Sequence, residues 1–347
     1  MKTIEVTSGA GCYPVTIGRG LLRNPEVLGK LLPIHGRKVL IVTDDGVPPE
    51  YARAVLAVAP EGEIFTLPAG EASKNFSRFE ELLSRMADEG FTRSSAVCAV
   101  GGGVVGDLAG FAAACYMRGI DFYNIPTTML SMVDSSVGGK TAIDFHGAKN
   151  IVGAFYPPRA VIVDCDVLKT LPARQMSAGL AEAVKMALTS DAEFFSRFEE
   201  ENLPEEEEIV ARSVAIKSAI VGADEKESGI RKLLNFGHTL GHAIEASEHL
   251  SGLLHGECVA LGMLPMCSDE VRKRLCPVLR RLGLPTDFPK DTEPVFSYLR
   301  YDKKRKGDEI DVVLVDTVGH GVIREMPIDA LCERTLTYLR KTEETDI

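Results

Sequence analysis

The chain has 347 residues, 45% of them hydrophobic and 26% charged, and its mean hydropathy is close to zero. That is the composition of an ordinary soluble globular protein, and the length exceeds what one hydrophobic core usually serves, so two domains are expected. The net charge of -11 argues against nucleic acid or a membrane surface as partner, because the average field repels both, and an anionic small substrate would need a local cluster of Lys and Arg.

The start, MKTIEVTSG, lacks the apolar core of a signal peptide, and no run reaches the roughly 18 apolar residues that span a bilayer. Eight cysteines form no CxxC pair and sit mostly in apolar runs such as AVCAVGGG and FAAACYM, as small buried hydrophobes do in a reducing compartment. A cytoplasmic protein is the expectation.

In chain order, IEVTS and YPVTIG alternate like an N-terminal hairpin packed at a sheet edge. The β-rich runs KVLIVTDD, EIFTLPAG, SAVCAVGGG, DFYNIPTT and AVIVDCD follow, separated by helical patterns, up to about Pro172. This alternation predicts an α/β Rossmann-like domain over 1–172, a parallel-type sheet covered by helices with ligands at the carboxyl ends of its strands. Beyond Pro172 the period shifts to 3.6 in SAGLAEAVKMALTS, EEIVARSVAIKSAIVGADE, HTLGHAIEASEH and HGECVALGMLPMCSDEVRKRL, which predicts an all-helical domain over 173–347. One short hairpin, from DVVLVDTV and GVIREMP, is expected against it. The acidic run from Glu199 to Glu208 reads as a solvated turn between helices.

Three stretches carry chemistry. SAVCAVGGGVVGDLAGF places Gly101, Gly103 and Gly106 in a G-x-G-x-x-G turn from strand to helix, where bare backbone approaches a pyrophosphate and helix N–H groups face it. The pattern alone equally suits a tight turn without ligand, and Asp44 is the candidate ribose-binding acid. Next, Thr127, Thr128, Asp134, Lys140, Lys149 and Asn150 recur among small residues, and Gly138 and Gly139 let the backbone turn sharply to aim Lys140 into a cleft. A polar binding site outweighs the alternative of a solubilising loop.

The third stretch is helical. Glu182 and Lys185 are three apart in a helix that is apolar nearly all round, so the default surface ion pair gives way to a buried acid that needs a partner such as a metal. His238 and His242, four apart, share a face. Alone they are more often a satisfied pair than metal ligands. Together with His255 and Glu182 they describe a catalytic site of three nitrogen and carboxylate ligands with one open position, as zinc prefers. The spacing does not say which histidine of the pair is the ligand. Arg231 and Asn235 precede His238 at helical spacing, and Lys217, Glu227 and the basic turn DKKRK from Asp302 add polar groups.

Together VDSSVGGKTAID, KNIVGAF, TLPARQMSAGLAEAVK, LNFGHTLGHAIE, LLHGE and DKK resemble the 3-dehydroquinate synthase family of the shikimate pathway, in order, from about Asp44 to Gly319. The resemblance implies an N-terminal domain holding NAD and a C-terminal domain holding a divalent metal, usually Zn2+ with Co2+ as an alternative. It implies Glu182, His238 and His255 as metal ligands, with His242 left to a supporting or proton-transfer role. NAD contacts map to Asp44, Glu71, Lys74, Gly101, Gly102, Gly103, Asp107, Thr127, Thr128, Lys149 and Thr170. Substrate contacts map to Asp134, Lys140, Asn150, Lys185, Lys217, Arg231, Asn235 and either Lys303 or Lys304. Catalytic roles map to Lys140, Lys185, Glu227, Arg231, Asn235 and His242. Arg118 corresponds to an arginine that reaches the substrate phosphate from a neighbouring subunit, which implies a homodimer.

The implied substrate is an anionic sugar-acid phosphate, 3-deoxy-D-arabino-heptulosonate 7-phosphate. Asp144, Met132 and Val167 depart from the family's usual Asn, Gln and aromatic residue. Two enzyme readings compete, a cyclase acting on another sugar phosphate and a metal-dependent polyol dehydrogenase, as does a catalytically dead relative serving as a binding subunit. A buried charged cluster that costs stability when empty argues against the last.

Overall fold

The computed structural model describes residues 1–9, 11–247, 252–289, 291–301 and 308–345, so Lys303 and Lys304 lie outside the described residues. Two compact units divide the chain, 1–172 with 206–225, and 173–205 with 226–347.

Unit 1 holds strands β1 (Lys2–Ser8), β2 (Gly11–Gly18), β3 (Val39–Asp44), β4 (Gly62–Leu67), β5 (Ala96–Gly101), β6 (Asp121–Pro126), β7 (Lys140–Phe145), β8 (Ala148–Phe155) and β9 (Ala160–Asp164). Its helices are α1 (Pro25–Leu31), α2 (Pro49–Val58), α3 (Phe76–Asp88) and α4 (Gly103–Cys115). The main sheet runs β1-β2-β9-β6-β5-β3-β4, antiparallel only between β1 and β2. The five apolar runs read from the sequence are its parallel strands, and the N-terminal hairpin is its edge. β3, β5 and β9 are buried nearly throughout, as strands covered on both faces must be. Leu40, Val42, Val97 and Ala99 of the sheet pack with Phe79, Leu82 and Met86 of α3 and Leu108 and Phe111 of α4, and the Phe79 and Phe111 rings stack at 4.6 Å.

The segment read as a polar binding site contains a second sheet. β7 and β8 form an antiparallel hairpin of their own, closed by His146 and Gly147, both with positive φ (48° and 74°). Two residues with φ above zero twist a hairpin loop in the sense the strands require.

Unit 2 contains α5 (Ala173–Ser190), α6 (Ala192–Glu199), α8 (His238–Ser247), α9 (His255–Met263), α10 (Asp269–Arg281), α11 (Glu293–Tyr301) and α12 (Ile328–Thr345), with the hairpin β10 (Glu309–Thr317) and β11 (His320–Pro327). The unit is therefore helix-rich, with the one hairpin expected from DVVLVDTV and GVIREMP. The helix between α6 and α8, α7 (Glu206–Ala223), belongs to unit 1 instead of the contiguous second half expected from the sequence. It packs on β1 and on the turn Ser131–Ser135, and Arg19 pairs with its Glu206 at 2.6 Å. Glu206, Glu207 and Glu208 stand in its first turn, where the helix dipole favours acids, so the acidic run is a turn that ends in a helix start.

All eight cysteines are free; Cys12 and Cys115, the last residue of α4, are exposed. Among the described residues no helix is long and apolar enough to cross a membrane.

Candidate active site

In unit 1, β5 ends at Gly101 and α4 begins at Gly103, with Gly102 as its N-cap. The turn has no room for side chains: a Cβ on Gly101 would stand 2.6 Å from Val105 Cγ2, and one on Gly102 3.1 Å from Thr128 Cγ2. Thr127 donates its backbone N–H to the Gly101 carbonyl at 2.9 Å, and the Thr128 hydroxyl accepts from Ser131 N–H at 3.2 Å. Both threonines therefore line the start of α4.

Asp44 ends β3, where its carboxylate accepts from the Gly46 N–H at 2.9 Å and burial pushes its pKa above the ordinary value. Thr170 bonds the Tyr51 hydroxyl at 2.9 Å. Lys74 is buried; its ammonium lies 2.6 Å from Asp107 and 4.0 Å from Glu71, and donates to the Asn150 side chain. Burial raises the Asp107 carboxyl while Lys74 pulls it back. Residues assigned by resemblance to nucleotide and to substrate thus touch directly at Lys74 and Asn150.

Asp134 accepts from the buried Lys217 ammonium at 2.6 Å, and its carbonyl does so at 2.7 Å. Gly138 and Gly139 both have positive φ (100° and 66°), the sharp turn expected before Lys140. Lys140 and Lys149 stand exposed on the β7–β8 hairpin. Asp144 accepts from the Asn150 N–H at 2.8 Å, so this departure from the family pattern helps shape the Asn150 turn. Met132 and Val167 are both buried. Arg118 is exposed on a bend where Met117, Arg118 and Gly119 all have positive φ (52°, 66° and 121°).

In unit 2, Glu182 is 0% and Lys185 1% exposed. The Lys185 ammonium lies against Glu182 Oε2, while Oε1 is 3.7 Å from His238 Nε2 and 3.5 Å from His255 Nε2. Ligand atoms at about 2.0–2.1 Å from one tetrahedral ion are about 3.3 Å apart, so this spacing is close to that of a shared cation. Oε2 is thus held by the Lys185 ammonium, while the buried Oε1 has only imidazole nitrogens at 3.5 and 3.7 Å, a position that a cation would satisfy. His242 joins the cluster: ligand nitrogens of His238, His242 and His255 all lie within 4.8 Å of one another. The donor set fits a divalent metal.

Electrostatics suit that fit at His238 and Glu182, whereas His255 must give up a proton to a metal. Burial and the nearby Lys185 hold His238 well below its ordinary pKa, so its ring is neutral at pH 7, as a ligand must be. Burial alone would raise Glu182, but the Lys185 ammonium and the two imidazoles hold it ionised, well below the usual carboxylate range. Burial would lower His255 as well, yet the nearby Glu182 and Glu245 carboxylates push it up to about 9.

Backbone contact assembles the cluster. His238 opens α8 and His255 opens α9, both in direct sequence with glycines. A Cβ on Gly256 would stand 1.9 Å from the Ala178 carbonyl oxygen, one turn before Glu182 on α5, and one on Gly237 (φ 76°) 2.7 Å from the Val259 carbonyl oxygen of α9. Only glycine allows these helices to approach closely enough for their ends to converge.

Gly237 also ends the continuous helix expected through Arg231, Asn235 and His238. Arg231 and Asn235 occupy a separate 3-10 turn, Ile230–Asn235. Arg231 is 2% exposed, and the Asn235 amide donates to Glu227, a residue held at φ 61°. The sequence reading missed Glu245, whose Oε2 is 3.2 Å from His255 Nδ1, and the Phe236 carbonyl, 3.2 Å from His238 Nδ1. Glu245 was nevertheless visible as the seventh residue after His238, on the same helical face.

Residues 64–178 match the model of the 3-dehydroquinate synthase N-terminal domain, and residues 179–305 that of the C-terminal domain. The chain belongs to the 3-dehydroquinate synthase family. It is 42% identical over 346 residues to 3-dehydroquinate synthase of Pseudomonas fluorescens, covering 94% of each chain. It is also 42% identical over 343 residues to that of Methylococcus capsulatus, covering 93% of this chain and 95% of the relative.

Among solved structures it is similar to a 2-deoxy-scyllo-inosose synthase complexed with carbaglucose-6-phosphate, NAD+ and Co2+ (27% identity, TM-score 0.86, 96% of this chain and 98% of that one). It is similar too to a 2-epi-5-epi-valiolone synthase from Streptomyces hygroscopicus subsp. jinggangensis 5008 with NAD+ and Zn2+ bound (28%, 0.83, 95% and 97%). A probable glycerol dehydrogenase from Sinorhizobium meliloti shares the fold alone (16%, 0.60, 93% and 95%).

Proposed function

We propose that the protein is a 3-dehydroquinate synthase, converting 3-deoxy-D-arabino-heptulosonate 7-phosphate into 3-dehydroquinate and phosphate, on the shikimate route to aromatic amino acids. The convergence of Glu182, His238 and His255, within a chain about 40% identical to enzymes of that name, carries the reading. Bound NAD supplies a reversible hydride acceptor, and a divalent cation, Zn2+ or Co2+, supplies Lewis acidity toward the substrate hydroxyls.

The chain's own residues bind and orient. Glu182, His238 and His255 hold the cation. The N-terminus of α4 offers N–H groups to the NAD pyrophosphate, Asp44 takes the ribose, and Glu71, Lys74, Asp107, Thr127, Thr128, Lys149 and Thr170 complete the nucleotide set. Arg231 holds the substrate carboxylate through its planar fork, and Asp134, Lys140, Asn150, Lys185, Lys217, Asn235 and Lys303 or Lys304 hold the hydroxyls and phosphate. His242, in the imidazole cluster, moves protons at the hydroxyl being oxidised, and Glu227 fixes the Asn235 amide. Exposure of Arg118 on its bend suits a residue that serves the neighbouring subunit of a homodimer.

The test is phosphate release from the heptulosonate phosphate, with and without chelator and added NAD. Release that chelator abolishes and metal restores is expected, with no net NADH formed. Release only from a sugar phosphate lacking the carboxylate, or accumulation of NADH, overturns the reading.

A further inference from the structure

Glu245 has no part in the assignments above. It lies on α8 three residues after His242 and seven after His238, and reaches across to α9, where its Oε2 is 3.2 Å from Nδ1 of His255. The other nitrogen of that ring, Nε2, faces Glu182 Oε1 at 3.5 Å. A carboxylate at Nδ1 is satisfied only by an N–H there, which leaves the Nε2 lone pair for a cation.

His238 reaches the same arrangement through the Phe236 carbonyl, two residues away on its own segment. His255 has a greater need of an outside anchor. Its side chain is 33% exposed, against 13% for His238 and 1% for Glu182, so packing restrains it least of the three. We infer that Glu245 is a positioning residue for the metal site, holding the His255 imidazole with Nε2 turned toward Glu182 and His238 and strengthening it as a ligand. The inference rests on the metal site proposed above and adds a residue to it. Carboxylates that orient ligating histidines in this way support metal affinity by about 10- to 100-fold.

The experiment uses the purified full chain and reads Zn2+ affinity by competition with a chromogenic chelator, the visible spectrum of the Co2+ form, and melting of the ion-free protein. Glu245→Ala is expected to bind Zn2+ about 10- to 100-fold more weakly and to shift the Co2+ spectrum, with ion-free melting unchanged. Glu245→Gln keeps an amide oxygen that accepts from Nδ1 and is expected to recover the greater part of that affinity. Wild-type Zn2+ affinity and an unaltered Co2+ spectrum in Glu245→Ala overturn the inference. So does a loss of affinity that tracks a lowered ion-free melting temperature and is not recovered by Glu245→Gln. If the wild-type chain itself binds neither Zn2+ nor Co2+, the metal site fails as well, and the unsubstituted protein alone reveals it.

Discussion

Unit 1 and unit 2 each bury charge, but they settle it differently. In unit 1 the buried Lys74 meets Asp107 at 2.6 Å, Lys217 meets Asp134 at 2.6 Å, and Asp121 is clasped by Arg159 at 2.6 Å and Arg37 at 2.8 Å. Opposite charges of the chain itself satisfy one another. In unit 2 the fully buried Glu182 has Lys185 against one oxygen, while the other faces two imidazoles, one of them held neutral. A buried carboxylate with one oxygen facing only imidazoles is a poor arrangement by itself and a good one around a cation, so the manner of pairing separates a network of the chain's own charges from a metal site.

The largest effect expected from this contrast is in unit 2. Glu182→Gln should weaken Zn2+ binding by more than about 100-fold, beyond what loss of a supporting residue costs, as read by chelator competition. Wild-type affinity in that variant would erase the distinction between the two units. In unit 1, Lys74→Met leaves Asp107 without its cation and should cost about 3 kcal/mol in urea unfolding, with Asp107→Asn added to it restoring part of the loss. A cost no greater than that of an exposed pair, below about 1 kcal/mol, would mean that water already serves Asp107.

Gly256→Ala tests how the unit 2 cluster is built. The added methyl meets the Ala178 carbonyl and should cost about 1–3 kcal/mol by overpacking, with Zn2+ affinity falling alongside melting temperature. Retained affinity at full stability would show that the α5–α9 approach does not position His255.

The smallest effect belongs to Asp121. Burial would raise its carboxyl, but hydrogen bonds from Arg159 and Arg37 hold it below the ordinary value. A depressed carboxyl stabilises the fold above the unfolded-state pKa of about 3.9, and that contribution is lost as pH falls through the lower folded value. Because the pair is partly exposed, Asp121→Asn should flatten the stability profile below about pH 4 by less than about 1 kcal/mol. An unchanged acid limb would place the acid sensitivity elsewhere.

Most of unit 1 was legible because parallel strands and their helices are local patterns. KVLIVTDD and SAVCAVGGG are strand-length apolar runs ending in turn residues, and they became β3 and β5. The β7–β8 hairpin was not seen, since its polar residues drew attention to binding, although the His146–Gly147 pair between KTAIDF and AKNIVGAF is the two-residue loop that closes such a hairpin. The helix formed by Glu206–Ala223 was legible as a helix; its membership of unit 1 was not, because a 3.6-residue period says that a face is buried and not against what.

The chain by itself determined the alternation of strands and helices, the glycine turn at Gly101 to Gly103, and the residue types that bind a cation, since each depends on neighbours within a turn or two. Only the tertiary structure decided that Glu182, His238, His242 and His255 meet, that Lys74 joins Asp107 to Asn150, and that Glu245 holds His255. Those contacts join residues on separate elements, several of them far apart in sequence. They depend on how closely α5, α8 and α9 pack, a distance set by glycines whose purpose appears only when the helices touch.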